Sequence, residues 1–313
     1  DWFRKSLLAD PTLADSYANL ARILSGSLEQ KKSYTRLLDA VVAAAKSYRS
    51  GDARRYAQAF SLYQRGLASM AARDVPGMTR DLTEAAKLDD SFKAICAFQV
   101  AWGLYRDNQY DKASQQVLEQ AQENLSLLLD TMAAQERPSD AALMVRSLGD
   151  KCFKKGDMDR ARDLFQIAAE ALSDSASDWN NYAFLCRETG KYEESFAAYQ
   201  QALEVDGGNP SLLNDAALIL HYHLHRDLDL AAEMYERAIE EGSRVLEDEE
   251  ADANAKDSAR VALRDAENNL RRLKAGILDD SPPDRPGRRP GRPGRDKKGK
   301  SPDDAPGEPS GSG

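Results

Sequence analysis

Apolar side chains recur three and four residues apart along most of this chain, the period of a helix with one buried face. Tyr17, Leu20, Ala21 and Leu24 make one such stripe. Ser33, Leu37 and Ala40 begin the next, which predicts a long helix reaching about Ser50, where Ser50-Gly51-Asp52 interrupts it. Leu62, Gly66 and Ser69 precede Met78, Leu82 and Ala85. Ala97, Val100, Ala101 and Leu104 precede Tyr110, Ala113 and Val117. That last stripe continues through Leu118, Ala121, Leu125 and Leu128, so its helix is expected to overshoot by about two turns and to stop before Arg137-Pro138.

Two copies are sharper than the rest. Val145, Leu148, Gly149 and Cys152, then Gly156, then Ala161, Phe165 and Ala168, return 34 residues later as Trp179, Tyr182, Ala183 and Cys186, then Gly190, then Ser195, Tyr199 and Ala202. A further copy holds Leu213, Ala216, Ala217 and Leu220 before Ala231, Tyr235 and Ala238, with two extra residues in its inner turn. Self-similarity at this period marks stacked helical hairpins, each too small to bury its own stripe. Two antiparallel helices approach closely only where a small side chain faces the partner. Gly149, Ala183 and Ala217, each 34 residues from the last, meet that need. Ala259, Ala262, Ala266, Leu270 and Leu273 form one more helix laced with Arg, Asp and Glu, as a soluble array end requires.

These residues resemble the tetratricopeptide repeat, whose unit runs Trp-x2-Leu-Gly-x2-Tyr, then Ala-x3-Phe-x2-Ala, often with a closing Pro. Here Trp179 is kept, Ala183 replaces Gly, and Gly207 stands where Pro is usual. The resemblance covers about residues 1–245 and implies an all-α fold, a right-handed α-solenoid of about six helix-turn-helix units. The expected organisation is an array over 1–250 with a truncated first unit, a capping helix over 251–278, and a disordered tail over 279–313, rich in Pro, Gly, Arg and Asp. Phe3, Ser6, Asp10 and Pro11 match a second helix and its exit turn, so the chain reads as a piece of something longer.

Composition narrows the function. The mean hydropathy is −0.63 and no apolar run approaches the roughly 18 residues that a membrane span needs. Three cysteines show neither disulfide nor zinc spacing; Cys152 and Cys186 occupy equivalent core positions, compatible with a cytoplasmic chain. The net charge is −9, unevenly spread. Residues 1–278 hold 35 basic and 45 acidic residues, whereas Arg285 to Lys300 holds eight basic residues and one acid, Asp296.

No nucleophile elbow, phosphate-cradling loop or metal-protease helix is present, so neither enzymatic chemistry nor a cofactor is expected. His221 and His225 are four apart and can share a helix face, but a third metal ligand is wanting, and no metal is expected. The tail motif Pro286-Gly287-Arg288-Arg289-Pro290-Gly291-Arg292-Pro293-Gly294-Arg295 has a loose likeness to an AT-hook. Arg288, Arg289, Arg292 and Arg295 are its candidate nucleic-acid contacts; a solvated spacer is the simpler reading.

The resemblance also implies where a partner sits. First helices of the repeat line a concave surface. The matching positions here are Asn19 and Arg22; Tyr63 and Gln64; Phe98, Gln99 and Trp102; Arg146 and Asp150; Asn180 and Asn181; and Asn214 and Asp215. Amides offer a main chain both donors and acceptors, and the aromatics suit anchoring pockets, although Phe98 and Trp102 serve equally well as packing. Family members that clamp a chaperone's terminal carboxylate use Lys, Asn, Asn, Lys and Arg. The corresponding Arg146, Asp150, Asn181, Ser211 and Asp215 include two carboxylates that would repel it, so no such clamp is expected. The expected role is a protein–protein interaction scaffold for a peptide or partner domain. The alternatives are a nucleic-acid-associated adaptor using the tail, or the regulatory region of a larger enzyme or sensor.

Overall fold

A computed structural model describes residues 2–24 and 28–278, with 28–31 as backbone only. The stripes become fourteen α-helices among the described residues: α1 (Trp2–Ala9), α2 (Ala14–Ile23), α3 (Leu28–Ala45), α4 (Asp52–Ala71), α5 (Val75–Leu88), α6 (Lys93–Arg106), α7 (Tyr110–Ala133), α8 (Pro138–Lys154), α9 (Met158–Ala171), α10 (Ala176–Glu188), α11 (Tyr192–Val205), α12 (Pro210–Leu218), α13 (Leu228–Glu247) and α14 (Ala253–Lys274). Helices α4/α5 through α12/α13 form successive hairpins, and α3 packs on α4. Helix α1 packs on α2 and α3, as the second helix of a preceding pair would, and α14 closes the stack against α12 and α13. Each helix packs substantially only on helices one or two places away in the chain, the locality of a solenoid.

A recurring turn sets each hairpin. Arg73, Asn108, Gly156 and Gly190 take left-handed backbone at φ 59°, 62°, 82° and 75°. The next amide then reaches back into the helix just ended: Asp74 to the Ser69 carbonyl at 2.9 Å, Gln109 to Leu104 at 2.9 Å, Asp157 to Cys152 at 3.0 Å, and Lys191 to Cys186 at 2.7 Å. These are the closing bonds of a Schellman cap, which satisfy carbonyls that the helix end leaves free. Asp74 and Asp157 also cap the helices that follow, accepting from the amides of Gly77 and Arg160. Seven residues before each turn lies the small crossing residue, Gly66, Ala101, Gly149 or Ala183, all buried. In architecture the array is therefore of the tetratricopeptide-repeat kind.

Three local features depart from the sequence expectation. Helix α3 ends at Ala45 rather than near Ser50, because Arg54 draws the chain into a turn by donating to the carbonyls of Tyr48 and Arg49. The overshoot of α7 is present but bent: Asn124 takes extended backbone (φ −165°, ψ 95°), and its side chain caps the next segment at the Leu127 amide, 3.0 Å away. Leu128 and Met132 bury that extra segment. The two-residue insertion in the last hairpin is absorbed as a π-helical stretch, Ile219–Leu224, ended by His225 in left-handed backbone.

Apolar burial falls into two cores. The first joins Leu7, Tyr17, Leu20, Leu37, Leu38 and Val41; the second runs from Val42 and Ala59 to Ala266. Phe60 packs on both. Beside this joint a cleft of about 520 Å³ opens among α3, α4 and α5. Arg65 spans it, donating twice to buried Asp81 (2.5 and 2.9 Å) and once to Asp39 (3.0 Å).

Candidate partner-binding face

Most of the expected contact residues are engaged internally. On α2, Asn19 donates to the Asp15 carbonyl at 2.8 Å and accepts from exposed Arg22 at 3.2 Å. On α4, Tyr63 leans on Phe92 with ring centroids 5.8 Å apart, burial pushes its phenol up to about 12, and Gln64 is half-buried beside it. On α6, Phe98 is 1% exposed and belongs to the core, whereas Gln99 and Trp102 are half-buried and reach the surface.

Arg146 on α8 is tied to Asp178 on α10, a residue the sequence reading passed over. Its Nε lies 2.9 Å from Oδ1 of a carboxylate that is fully buried. The contact is charge on charge. The N–H is poorly aligned, and neither carboxylate oxygen nor Nε has a hydrogen-bond partner among the described residues. Burial pushes the Asp178 carboxyl up, against the pull of Ser175 and Arg146. Asp150, one turn along α8, is also raised by burial, with Asp178 adding repulsion and Lys154 and Arg146 opposing it. Arg146 is thus compensated from within, and this part of the face leans acidic. Next along, Asn181 is 5% exposed and Asn180 half-buried.

Asn214 is sealed by the closing helix. Its Oδ1 accepts from Asn269 of α14 at 3.1 Å, and its amide donates to Asp215 at 3.0 Å. Tyr222 donates to Asn269 Oδ1 at 3.4 Å, and Arg272 donates to the Tyr222 hydroxyl at 2.9 Å. This polar ladder fixes α14 on α12 by satisfying groups that would otherwise be orphaned in the interior. His221 reinforces the same joint. It is fully buried, with Nε2 2.9 Å from the Ile277 carbonyl and Nδ1 3.3 Å from the Tyr235 hydroxyl, and burial lowers its pKa. His225 is exposed and displaced by the π-helical stretch, so the pair does not share an α-helical face. Among the described residues no three metal-ligating side chains converge. No described helix is long and apolar enough to cross a membrane.

The first-helix side also has a concave opening. A notch of about 190 Å³ lies between α6 and the start of α8, lined by Phe98, Gln99, Trp102, Gln135, Glu136, Arg137, Asp140 and Ala141. The bent extension of α7 makes it, delivering the turn Gln135–Arg137 beside Trp102. Gln99 Nε2 donates to Gln135 Oε1 at 2.9 Å, and Gln135 Nε2 donates to the Thr131 carbonyl at 2.6 Å. The overshooting stripe and Pro138 were the available signals for this site, and the turn residues themselves carried none. The tail arginines Arg288, Arg289, Arg292 and Arg295 lie outside the described residues.

No protein-family model and no curated protein matches the chain. Among solved structures it is similar to PcrH in complex with the chaperone binding region of PopD, at 18% identity over 46% of this chain and 98% of that one, TM-score 0.38. It is similar to YrrB, a TPR protein with an unusual peptide-binding site, at 17% identity over 66% and 92%, TM-score 0.34. It is similar to MamA at 14% identity over 62% and 97%, TM-score 0.34. At these identities and scores the likeness carries neither partner nor face over to this chain.

Proposed function

We propose that this chain is a protein–protein interaction scaffold that holds a peptide or a partner domain along its first helices. Residues 1–250 are the binding array in this reading, 251–278 its cap and 279–313 an appended tail. The observation that carries it is the run of half-buried polar and aromatic side chains on consecutive first helices: Gln64, then Gln99 and Trp102, then Asp150, then Asn180. Their helices are locked by packing and caps, so little ordering entropy is lost when a partner arrives. Arg146 is already paired with buried Asp178, which is why no clamp for a terminal carboxylate is part of this reading.

Site-specific photocrosslinking of the full chain in its native cells tests this. A photoreactive side chain at Asn180 or Gln64 is expected to capture a discrete protein, whereas one at exposed Gln115 or Ala197 on second helices is not. The captured protein, once purified, should bind at least tenfold more weakly to the Gln64→Ala, Asn180→Ala double variant. Equal capture from both sets of positions, or binding indifferent to the double variant, would refute the reading.

A further inference from the structure

The notch between α6 and α8 has a one-sided chemistry. The two amides each give an N–H to the wall of the notch, Gln99 to Gln135 and Gln135 to Thr131. Beside these amides the notch is lined by the acidic residues Glu136 and Asp140 and by Trp102. Glu136 has no ion-pair partner among the described residues. Arg137, the one cation on the rim, is 79% exposed and sits 3.7 Å from Asp140 as its i,i+3 neighbour. Two carboxylates and an indole face against a single, largely exposed cation favour a cationic group with a flat face. A guanidinium carries five N–H donors in a plane and no acceptor, and it stacks on indole better than an ammonium does. The size agrees. About 190 Å³ is below the roughly 300–1,000 Å³ of small-molecule pockets and suits one long side chain.

The chain itself carries such a group in a compatible setting. Residues 1–278 are acidic overall, and the segment 285–295 holds Arg285, Arg288, Arg289, Arg292 and Arg295 with no acid among them. The path leaves the fold at Ile277, which His221 pins beside α12. From α12 back to α6 is three hairpins, about 30 Å at the usual interaxial spacing of about 10 Å. Arg292 lies 15 residues beyond Ile277, which spans about 50 Å when extended. Tethering also raises the local concentration of the segment to about the millimolar range, enough to populate a weak contact.

We propose that the notch over Trp102 seats an arginine of the chain's own segment 285–295, so that the tail covers the α6–α8 part of the first-helix face. A partner that uses this part must displace the tail, which makes the segment a built-in competitor. The inference holds whether or not a partner binds elsewhere on the face.

The experiment uses the full chain with labelled tryptophan side chains. The indole N–H resonance of Trp102 is assigned by its loss in Trp102→Phe. Changing all five arginines to glutamine leaves the folded part untouched and is expected to shift that resonance, while those of Trp2 and Trp179 stay in place. Raising the salt from 50 to 500 mM should move the wild-type resonance to the same position, and so should Glu136→Lys with the arginines intact. A synthetic peptide of residues 285–295, added to the five-glutamine variant, should restore it. A Trp102 resonance identical in wild type and the five-glutamine variant overturns the proposal. So does a shift that survives Glu136→Lys. A wild-type signal that changes on dilution also overturns the intramolecular contact and assigns the arginine to a second copy. Failure on any of these counts leaves the photocrosslinking at Gln64 and Asn180 unaffected, so the two readings fall separately.

Discussion

Replacing Gly149 by leucine tests the stacking directly. A Cβ placed on Gly149 lies 3.0 Å from both Cδ2 and Cε2 of Phe165 and 3.5 Å from Cβ of Leu164. Alanine therefore needs the Phe165 ring to yield by a few tenths of an ångström. That cost is set against about 0.8–1 kcal/mol of improved helix propensity, so Gly149→Ala should be near neutral. Leucine adds three more carbons into the α8–α9 contact, against Phe165 and Leu164. Overpacking of this kind costs about 1–3 kcal/mol, and the propensity gain offsets part of it. A net loss of about 1–2 kcal/mol is expected. Urea unfolding followed by the fluorescence of Trp102 and Trp179 reads it as a lower midpoint at unchanged slope. A leucine variant as stable as the alanine variant would show that α8 and α9 do not cross at Gly149, and the hairpin register would be wrong.

Three other outcomes follow from the same geometry. Arg73→Gly should stabilise by about 0.5–1 kcal/mol, since Arg73 holds φ 59°, whereas Gly190→Ala should cost about 1 kcal/mol although nothing lies within 4 Å of the new Cβ; equal effects of opposite expectation in thermal melts would refute the turn assignment. Burial alone would raise Asp81, but hydrogen bonds from Arg65 and Arg80 outweigh it and hold its pKa below 3.8. It therefore contributes stability above pH 3.8 that is lost as pH falls through the lowered value, so Asp81→Asn should cost about 3 kcal/mol at pH 7 and progressively less below pH 3.8; a penalty independent of pH would contradict the pairing. Burial lowers His221 and His223 below 6.5, so the unfolded chain binds more protons and stability should fall as pH drops below 6.5. Urea midpoints at pH 5 and 7.5 should differ less in His221→Gln than in wild type, and an unchanged difference would exclude His221 as a source.

How much of this could be read from residues alone depended on how local the cause was. The hairpins α8/α9 and α10/α11 were legible because both devices that make them, a small crossing residue and a left-handed glycine, appear as letters: Gly149 with Gly156, and Ala183 with Gly190. Where Arg73 and Asn108 take the left-handed role the turn is equally real but carries no glycine to announce it. The binding face was harder. Offsets along a helix say which side chains point away from the partner helix, not what the next hairpin brings against them. Asn214 meets Asn269, 55 residues on, and Arg146 meets Asp178. Neither pairing leaves a trace in local periodicity. The same holds for the turn Gln135–Arg137, whose placement depends on the bend at Asn124.

The division of the interior into two apolar bodies bridged by Phe60 has a consequence for cooperativity. Helices α1 to α3 rest on α4 through Phe60, Ala68, Val42 and the guanidinium fork of Arg65, with open space beside them. Such a lobe can let go while everything after Asp52 stays intact. Heating or denaturant should then release it first, as a separate early transition, and a protease should find the segment 46–51 before any other hairpin turn. A single melting temperature would average two events. Substitutions at Phe60 would widen the gap between them, whereas those at Gly149 would move only the later one.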